Sequence, residues 1–318
     1  MSTHKKNTEV TGNGLSAFRR SARRLSRQVR SLAYSRAIPT NYFSQYDGIG
    51  PKLYQVNGLV YAYEHKFARS MILRSPEGIA VFDCFSLIHA KGMKQALAKT
   101  FPDEKVRWLV YSHNHLDHIR GSELFEGAEV IGHRDINMLV ADWPKLGANI
   151  SKVTQPIEGD TRLSLGGVEI DALYMPWSHS QTLYAFHVLQ DDVVFAPDMM
   201  FVNLVPPFDF PDFYSPGYIR ALNRLVDLNA QFYIPSHGVR GDLSDLKAFR
   251  DMTVEFEQVI QQEILHWGVE RMDDTKIMRK TLKSSYEKLQ PKYGRVHGFE
   301  AFFVAKFGRH YGGAFLGY

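Results

Sequence analysis

From about residue 52 onward the chain breaks into short apolar runs separated by turn residues. Two of them, Ser70–Leu73 and Ile79–Phe82, flank Pro76-Glu77-Gly78 and predict a β-hairpin. Residues His89–Thr100 place Met93, Ala96 and Leu97 at helical spacing. Val106–Tyr111 is mostly apolar and predicts a buried strand, and further strands are expected over Ala128–Ile131, Val168–Tyr174, Leu183–Val188, Val193–Ala196 and Gln231–Ile234. Strands and helices alternate without a strict βαβ rhythm. A mixed-sheet sandwich flanked by helices fits that order better than a doubly wound sheet.

A helical period begins after Ser244, a candidate N-cap, and runs through Leu246, Phe249, Met252, Phe256, Val259, Ile260 and Trp267 to a stop at Gly268. A second, more polar helix is expected over Thr275–Leu289, while the Phe-, Tyr- and Gly-rich segment His297–Tyr318 fits no element. Residues 39–245 read as a catalytic domain and residues 246–318 as a helical and aromatic extension packing on it.

The N-terminal segment, residues 1–38, has a different texture. Leu15, Phe18, Ala22, Leu25, Val29 and Leu32 recur at spacings of three and four, with Arg19, Arg20, Arg23, Arg24, Arg27 and Arg30 between them. Three readings stay open. It is a basic amphipathic helix for an anionic membrane surface or a partner protein, engaging over residues 15–33; or an organellar transit segment; or a solvated tail. Residues 1–36 carry nine Lys and Arg against Glu9, a net +8, whereas the whole chain is +4, which leaves the remainder at −4. The basic pI therefore belongs to the tail, and a mildly acidic body argues against a nucleic-acid partner. With Cys84 the only cysteine, an internal disulfide is excluded. A reducing cytoplasmic setting, peripheral to a membrane if the tail anchors, is the expectation. A homodimer is compatible with the sequence but not required by it.

The chemistry concentrates in Tyr111-Ser-His-Asn-His-Leu-Asp-His118, where His113, His115, Asp117 and His118 fall within six positions. Imidazole nitrogens and carboxylate oxygens suit zinc and similar divalent ions. Without a cation, so many titratable groups would suffer desolvation and mutual repulsion.

The spacing H-x-H-x-D-H resembles that of the metallo-β-lactamase superfamily, and four further segments resemble its elements in order: Ile79-Ala-Val-Phe-Asp83, Met175-Pro-Trp-Ser-His179, Val194-Phe-Ala-Pro-Asp198 and Tyr233-Ile-Pro-Ser-His237-Gly. The resemblance is to the glyoxalase II and lactonase-like branch and covers roughly residues 52–245. It implies a four-layer αββα sandwich of the α/β class, with a helical C-terminal extension here. It also implies two divalent metal ions, Zn2+ first, with Fe or Mn as alternatives. His113, His115 and His179 would hold one, Asp117, His118 and His237 the other, and Asp198 would bridge them, with Asp83 behind the ligands as an orienting carboxylate. One departure is Asp117-His-Ile-Arg-Gly121, where Arg120 replaces a small residue; it is expected either to bind an anionic group of the substrate or, the favoured reading, to form a surface ion pair. His133 is expected to be structural, and His89, His187, His266, His297 and His310 to be surface or packing residues.

The implied reaction is hydrolysis by a metal-bridged hydroxide, with Asp117 steering the nucleophile and accepting its proton. The segment after Asp198 holds Phe208, Phe210, Phe213 and Tyr214. It predicts either an apolar wall for a lipophilic small-molecule ester, lactone or thioester, or a plug under the C-terminal helices. Three rivals remain. One is a persulfide dioxygenase-like enzyme with a single iron on His113, His179 and Asp198, suggested by Asp117-His-Ile-Arg-Gly-Ser122. Another is a phospho- or sulfo-ester hydrolase, and the last a non-catalytic metal-binding module. A flavodiiron role is disfavoured by His113-Asn-His115.

Overall fold

A computed structural model describes residues 43–206 and 213–316. The basic tail, together with Phe208 and Phe210, lies outside them. Two sheets account for the strands. The first is ordered β1 (Lys52–Asn57), β2 (Val60–His65), β3 (Ala68–Ser75), β4 (Gly78–Phe82), β5 (Val106–Val110), β6 (Glu129–His133) and β7 (Gln155–Ile157). It is antiparallel from β1 to β4 and parallel from β4 to β7. The second runs β12 (Phe232–Pro235), β11 (Val193–Ala196), β10 (Tyr184–Val188), β9 (Val168–Tyr174), β8 (Thr161–Leu165) and is antiparallel except between β11 and β12. The hairpin at 76–77 forms as expected, closed by the Ser75–Gly78 pair.

Alternation within the strands decides which side chains face which layer. Met71, Leu73, Ala80, Phe82, Trp108 and Val110 point inward against Ile170, Ala172, Phe186 and Phe195 of the second sheet. Their neighbours Ile72, Ile79, Val81, Leu109 and Tyr111 point outward and pack beneath α1 (Leu87–Thr100) through Ala90, Met93 and Leu97. Every residue of β4 is buried, as a strand covered on both faces requires. These layers form the helix-flanked mixed-sheet sandwich that the sequence pattern predicted and agree with the αββα arrangement that the resemblance implied.

The remaining helices are α2 (Leu116–Ile119), α3 (Ile136–Ala141), α4 (Ser215–Asp227), α5 (Leu243–Trp267), α6 (Thr275–Tyr293) and α7 (Phe299–Leu316), making seven among the described residues. Several boundaries differ from expectation. Helix α5 is capped by Asp242, which forms a reciprocal box with Asp245, and the Ser244 hydroxyl bonds to Asp242 instead of capping. Helix α6 runs past Leu289 to Tyr293 with Pro291 in its last turn, where the missing N–H gives up one backbone bond to the Glu287 carbonyl and only two helical residues follow. The unassigned C-terminal segment is helix α7, which buries Phe299, Phe302, Phe303, Phe307 and Tyr311. Three packed helices supply the burial that its glycines do not favour.

Candidate metal centre

The chain delivers the cluster from loops at strand ends. Strand β5 ends at Val110 and feeds His113 and His115; α2 carries Asp117 and His118; the loop between β9 and β10 carries His179; the turn after β11 carries Asp198; and the turn after β12 carries His237. Asp83, which follows β4, has φ +55°, and Asp198 has φ +53°. Phe85 and Trp177 on the same loops are also left-handed. Non-glycine residues in that region store strain, and it persists here because the surroundings overdetermine the loops.

Those surroundings are buried polar anchors. Asp198 receives the Ser236 hydroxyl on Oδ1 at 2.7 Å, donates its own N–H to that hydroxyl at 2.9 Å, and has its carbonyl held by the Tyr218 hydroxyl at 2.6 Å. Asn114 Oδ1 accepts from Ser180 and Thr182 at 2.8 and 2.9 Å, which ties the His113–His115 loop to the His179 loop. Buried Arg69 donates to the carbonyls of Pro235 and Gly238 at 2.9 and 3.0 Å, gripping the backbone on both sides of His237. Its charge is met by Glu64, which also pairs with Arg240.

The functional atoms converge. His179 Nε2 lies 3.2 Å from His113 Nε2, 2.9 Å from His115 Nδ1 and 2.9 Å from Asp198 Oδ2. On the other side His118 Nε2 lies 3.2 Å from His237 Nε2, and Asp117 Oδ2 is 3.7 Å from each. Asp198 reaches both sides: Oδ2, already 2.9 Å from His179, is 3.1 Å from His118, and Oδ1 is 3.2 Å from His237. These atoms form two donor groups, His113–His115–His179–Asp198 and Asp117–His118–His237, each tight enough to hold an ion. Three imidazole nitrogens turned toward one another cannot all satisfy each other by hydrogen bonds, since each ring carries one donor when neutral. A cation resolves that convergence, so the residues fit a metal.

Asp83 accepts the Ser112 N–H on Oδ1 at 2.8 Å, and on Oδ2 the Ser112 hydroxyl at 2.7 Å and the His118 Nδ1 at 2.8 Å. With those partners it orients His118 and the loop that carries His113, and it also lies within reach of His113 and His118 as a third possible donor group.

Burial and the neighbouring imidazoles of His118, His115 and His179 push the His113 pKa well below its ordinary value. Burial acts the same way on His118, but Asp198, Asp117 and Asp83 outweigh it and raise its pKa well above the ordinary value. The carboxylates that favour a proton there favour a cation equally. Burial opposes ionisation of Asp198, yet His118, His237 and His179 hold its pKa well below the carboxylate range.

Aromatic rings enclose the His237 side. Phe67 stacks on His237 with centroids 4.7 Å apart, and Phe85 sits 4.7 Å from the His118 ring. Of the residues expected to line the substrate, Phe213 packs against Tyr218 and His310, on the helical side. Tyr214 donates its N–H to the Ser178 carbonyl at 2.9 Å, beside His179. Arg120 is exposed and makes no ion pair among the described residues, so the surface pair expected for it is not formed. His133 accepts the Asp135 N–H and stacks on Tyr174, a structural role. His89 and His310 are buried, the latter against Glu257.

The sequence reading passed over Ser112, Asn114, Ser236, Tyr218, Arg69, Phe67 and Phe85. Adjacency to the histidine motifs could have drawn attention to Ser112, Asn114 and Ser236. Nothing local marks Arg69 or Tyr218.

Two facing sheets wrapped by helices, with a His/Asp cluster on the strand-end loops, define a metallo-hydrolase-like class of protein. The sequence profile of the metallo-beta-lactamase superfamily matches residues 66–237, more than half of the chain, and the chain belongs to that superfamily. Among curated relatives it is 24% identical over 242 residues to the 2,4-dinitroanisole O-demethylase subunit beta of Nocardioides sp. (strain JS1661), covering 73% of this chain and 71% of that one. It is also 25% identical over 187 residues to the alpha subunit, covering 57% of this chain and 56% of that subunit. Among solved structures, a metallo-beta-lactamase from Pontibacter korlensis aligns with TM-score 0.55 at 18% identity, over 64% of this chain and 98% of that one. A sec-alkyl sulfatase double mutant aligns with TM-score 0.57 at 14% identity, over 75% and 50%. At these identities the structural likeness is one of fold.

Proposed function

We propose that the chain is a binuclear metal-dependent hydrolase that cleaves an ester, lactone or thioester bond in a lipophilic small molecule. The observation that carries the two-metal reading is Asp198, whose Oδ2 lies 2.9 Å from His179 in one group and 3.1 Å from His118 in the other, with Oδ1 3.2 Å from His237. A mononuclear iron enzyme would use His113, His179 and Asp198 and leave Asp117, His118 and His237 converging for no purpose. Zinc is the first candidate for a set rich in imidazole, with iron and manganese as alternatives.

Two divalent ions held here would supply a water acidic enough to ionise near neutral pH and a Lewis acid for the oxygen that gains charge. The protein's own groups do the rest. Asp117 is the most exposed ligand candidate, with its side chain 66% accessible, so it stands at the mouth where a nucleophile's proton can be accepted and passed to solvent. His113 and His118 are buried and oriented from behind, which fixes the floor. Phe67, stacked on His237, supplies apolar surface beside the cluster, and Trp177, 57% exposed beside His179, extends it outward.

A second substrate class is favoured by the two relatives named 2,4-dinitroanisole O-demethylase subunits. An alkyl ether on an electron-poor ring is also cleavable by hydroxide attack, and the aromatic surround accepts a ring.

The test is metal content of the purified protein, followed by a hydrolysis panel of esters, lactones, thioesters, phosphoesters, sulfates and nitroaryl methyl ethers. About two equivalents of metal and activity abolished by His115→Ala are expected. A single iron with oxygen uptake, or an unchanged rate in His115→Ala, would refute the proposal.

A further inference from the structure

One carboxylate stands behind both donor groups. Asp83 Oδ2 takes the His118 Nδ1 at 2.8 Å and the Ser112 hydroxyl at 2.7 Å, and that same hydroxyl lies 2.8 Å from His113 Nδ1. A carboxylate can only accept, so the single Ser112 hydroxyl proton points to Asp83. The lone pair left on Ser112 Oγ then accepts from His113, which places the His113 proton on Nδ1. The chain runs His113 N–H to Ser112 O–H to Asp83, with His118 N–H arriving from the other side. His113 is thereby left with a bare Nε2, and His118, its Nδ1–H held by Asp83, turns Nε2 the same way; those are the atoms that face the cluster, 3.2 Å from His179 and 3.2 Å from His237 respectively.

We propose that Ser112 is a positioning residue: its hydroxyl relays Asp83 to His113, so that one carboxylate sets the tautomer and ring orientation of a ligand in each half of the centre. The inference rests on the reading of the cluster as a metal centre. It separates two contributions that adjacency would blur. The Ser112 backbone N–H bonds to Asp83 Oδ1 at 2.8 Å independently of the side chain. Ser112→Ala therefore removes the relay while leaving Asp83, the loop and the Asp83–His118 bond in place. The site is fully buried, so water is not at hand to replace the lost hydroxyl.

The two halves should respond differently. Losing an outer-sphere partner typically costs 10- to 100-fold in metal affinity. In chelator competition with Zn2+ on the full chain, Ser112→Ala should weaken one equivalent about 10- to 100-fold and leave the other at its wild-type value. Asp83→Asn should weaken both, and Ser112→Thr, which keeps the hydroxyl, should restore wild-type behaviour. Nitrogen-15 NMR of the metal-free protein should show the His113 proton on Nδ1, and a mixed or reversed tautomer in Ser112→Ala. Two wild-type equivalents in Ser112→Ala, or both weakened equally, would overturn the relay. A wild-type protein that binds no divalent ion would sink the metal reading instead, while the NMR tautomer would still decide the hydrogen-bond chain.

Discussion

Arg69 is the anchor whose removal can be worked through in most detail. Its guanidinium is buried to 1% exposure, donates to the carbonyls of Pro235 and Gly238, and faces Glu64 at 3.2 Å. Arg69→Met keeps the length of the side chain and deletes the charge and donors. Two buried carbonyls then lose partners, at about 1–3 kcal/mol each, and one member of a buried ion pair is removed, which typically costs about 3–5 kcal/mol. Arg240 still pairs with Glu64, so the low end, about 3 kcal/mol, applies to the charge and the total is about 5–9 kcal/mol. At about 2–4 °C per kcal/mol for a chain of this size, the melting temperature should fall by about 10–36 °C. Urea unfolding of Arg69→Met, Glu64→Gln and the double variant measures the coupling. The double variant should cost less than the sum of the singles by about 1–3 kcal/mol, because it leaves no orphaned charge. The pH dependence has a defined sign. Burial works to raise the Glu64 pKa, but hydrogen bonds and charge from Arg240 and Arg69 win and hold it below its usual value. Stability from this carboxyl is therefore present above its unfolded pKa, about 4.3, and is lost as pH falls through the lower folded value. Arg69→Met should flatten that loss. A cost under about 1 kcal/mol, or strict additivity in the double variant, would refute the account.

Other outcomes follow from single contacts. Gly217→Ala should destabilise by about 1–3 kcal/mol and lower activity, since a Cβ there would lie 1.6 Å from the Trp177 carbonyl on the His179 loop; a helix-favouring substitution that stabilised would contradict the packing. Asp242→Ala should cost about 0.5–2 kcal/mol by urea unfolding, whereas Ser244→Ala should stay within about 0.5, and the reverse order would restore Ser244 as the cap. Stripping metal with a chelator should lower the melting temperature, by the equivalent of about 2.7 kcal/mol for a site held at 100 times its dissociation constant; no shift would argue against an occupied centre. Glu257→Gln should loosen the contact between α5 and α7, because Glu257 pairs with buried His310, and protease susceptibility of α7 reports it.

The parts of the fold that were legible share a physical cause. Strands β9 and β11 run over the predicted residues because their apolar runs are bounded by turns, Gly166-Gly167 before β9 and Asp191-Asp192 before β11. Helix α5 was visible from its apolar period, but its start was not, since Asp242 and Ser244 are equally good caps and only the backbone geometry chooses between them. Helix α4 went unread although Tyr218, Ala221, Leu222, Leu225 and Val226 keep helical spacing after a favourable Pro216. Helix α7 is the harder case. Gly308, Gly312 and Gly313 lower its intrinsic propensity, and burial of its phenylalanines against α5 and α6 overrides that.

The site divides along the same line. Ligand candidates were legible because their residue types are rare and their spacing dense, and the structure brings His113, His115, His179, Asp198, Asp117, His118 and His237 within one cluster. The anchors were not, because a serine, a tyrosine or an arginine becomes an anchor only through a partner far away in the chain. Ser236 reaches back 38 residues to Asp198, and Arg69 reaches 166 residues to Pro235. This division has a functional consequence. The loops carry strained residues such as Asp83 and Asp198, so ligand geometry cannot be held by local preference and must be imposed by those distant bonds. Substitutions at the anchors should therefore lower metal affinity and also destabilise the chelated protein, whereas a ligand substitution such as His115→Ala should remove metal and lower the melting temperature only as far as chelation lowers it in the wild type. That contrast, read in parallel melting and metal-binding curves, separates residues that hold the centre's shape from residues that hold its ions.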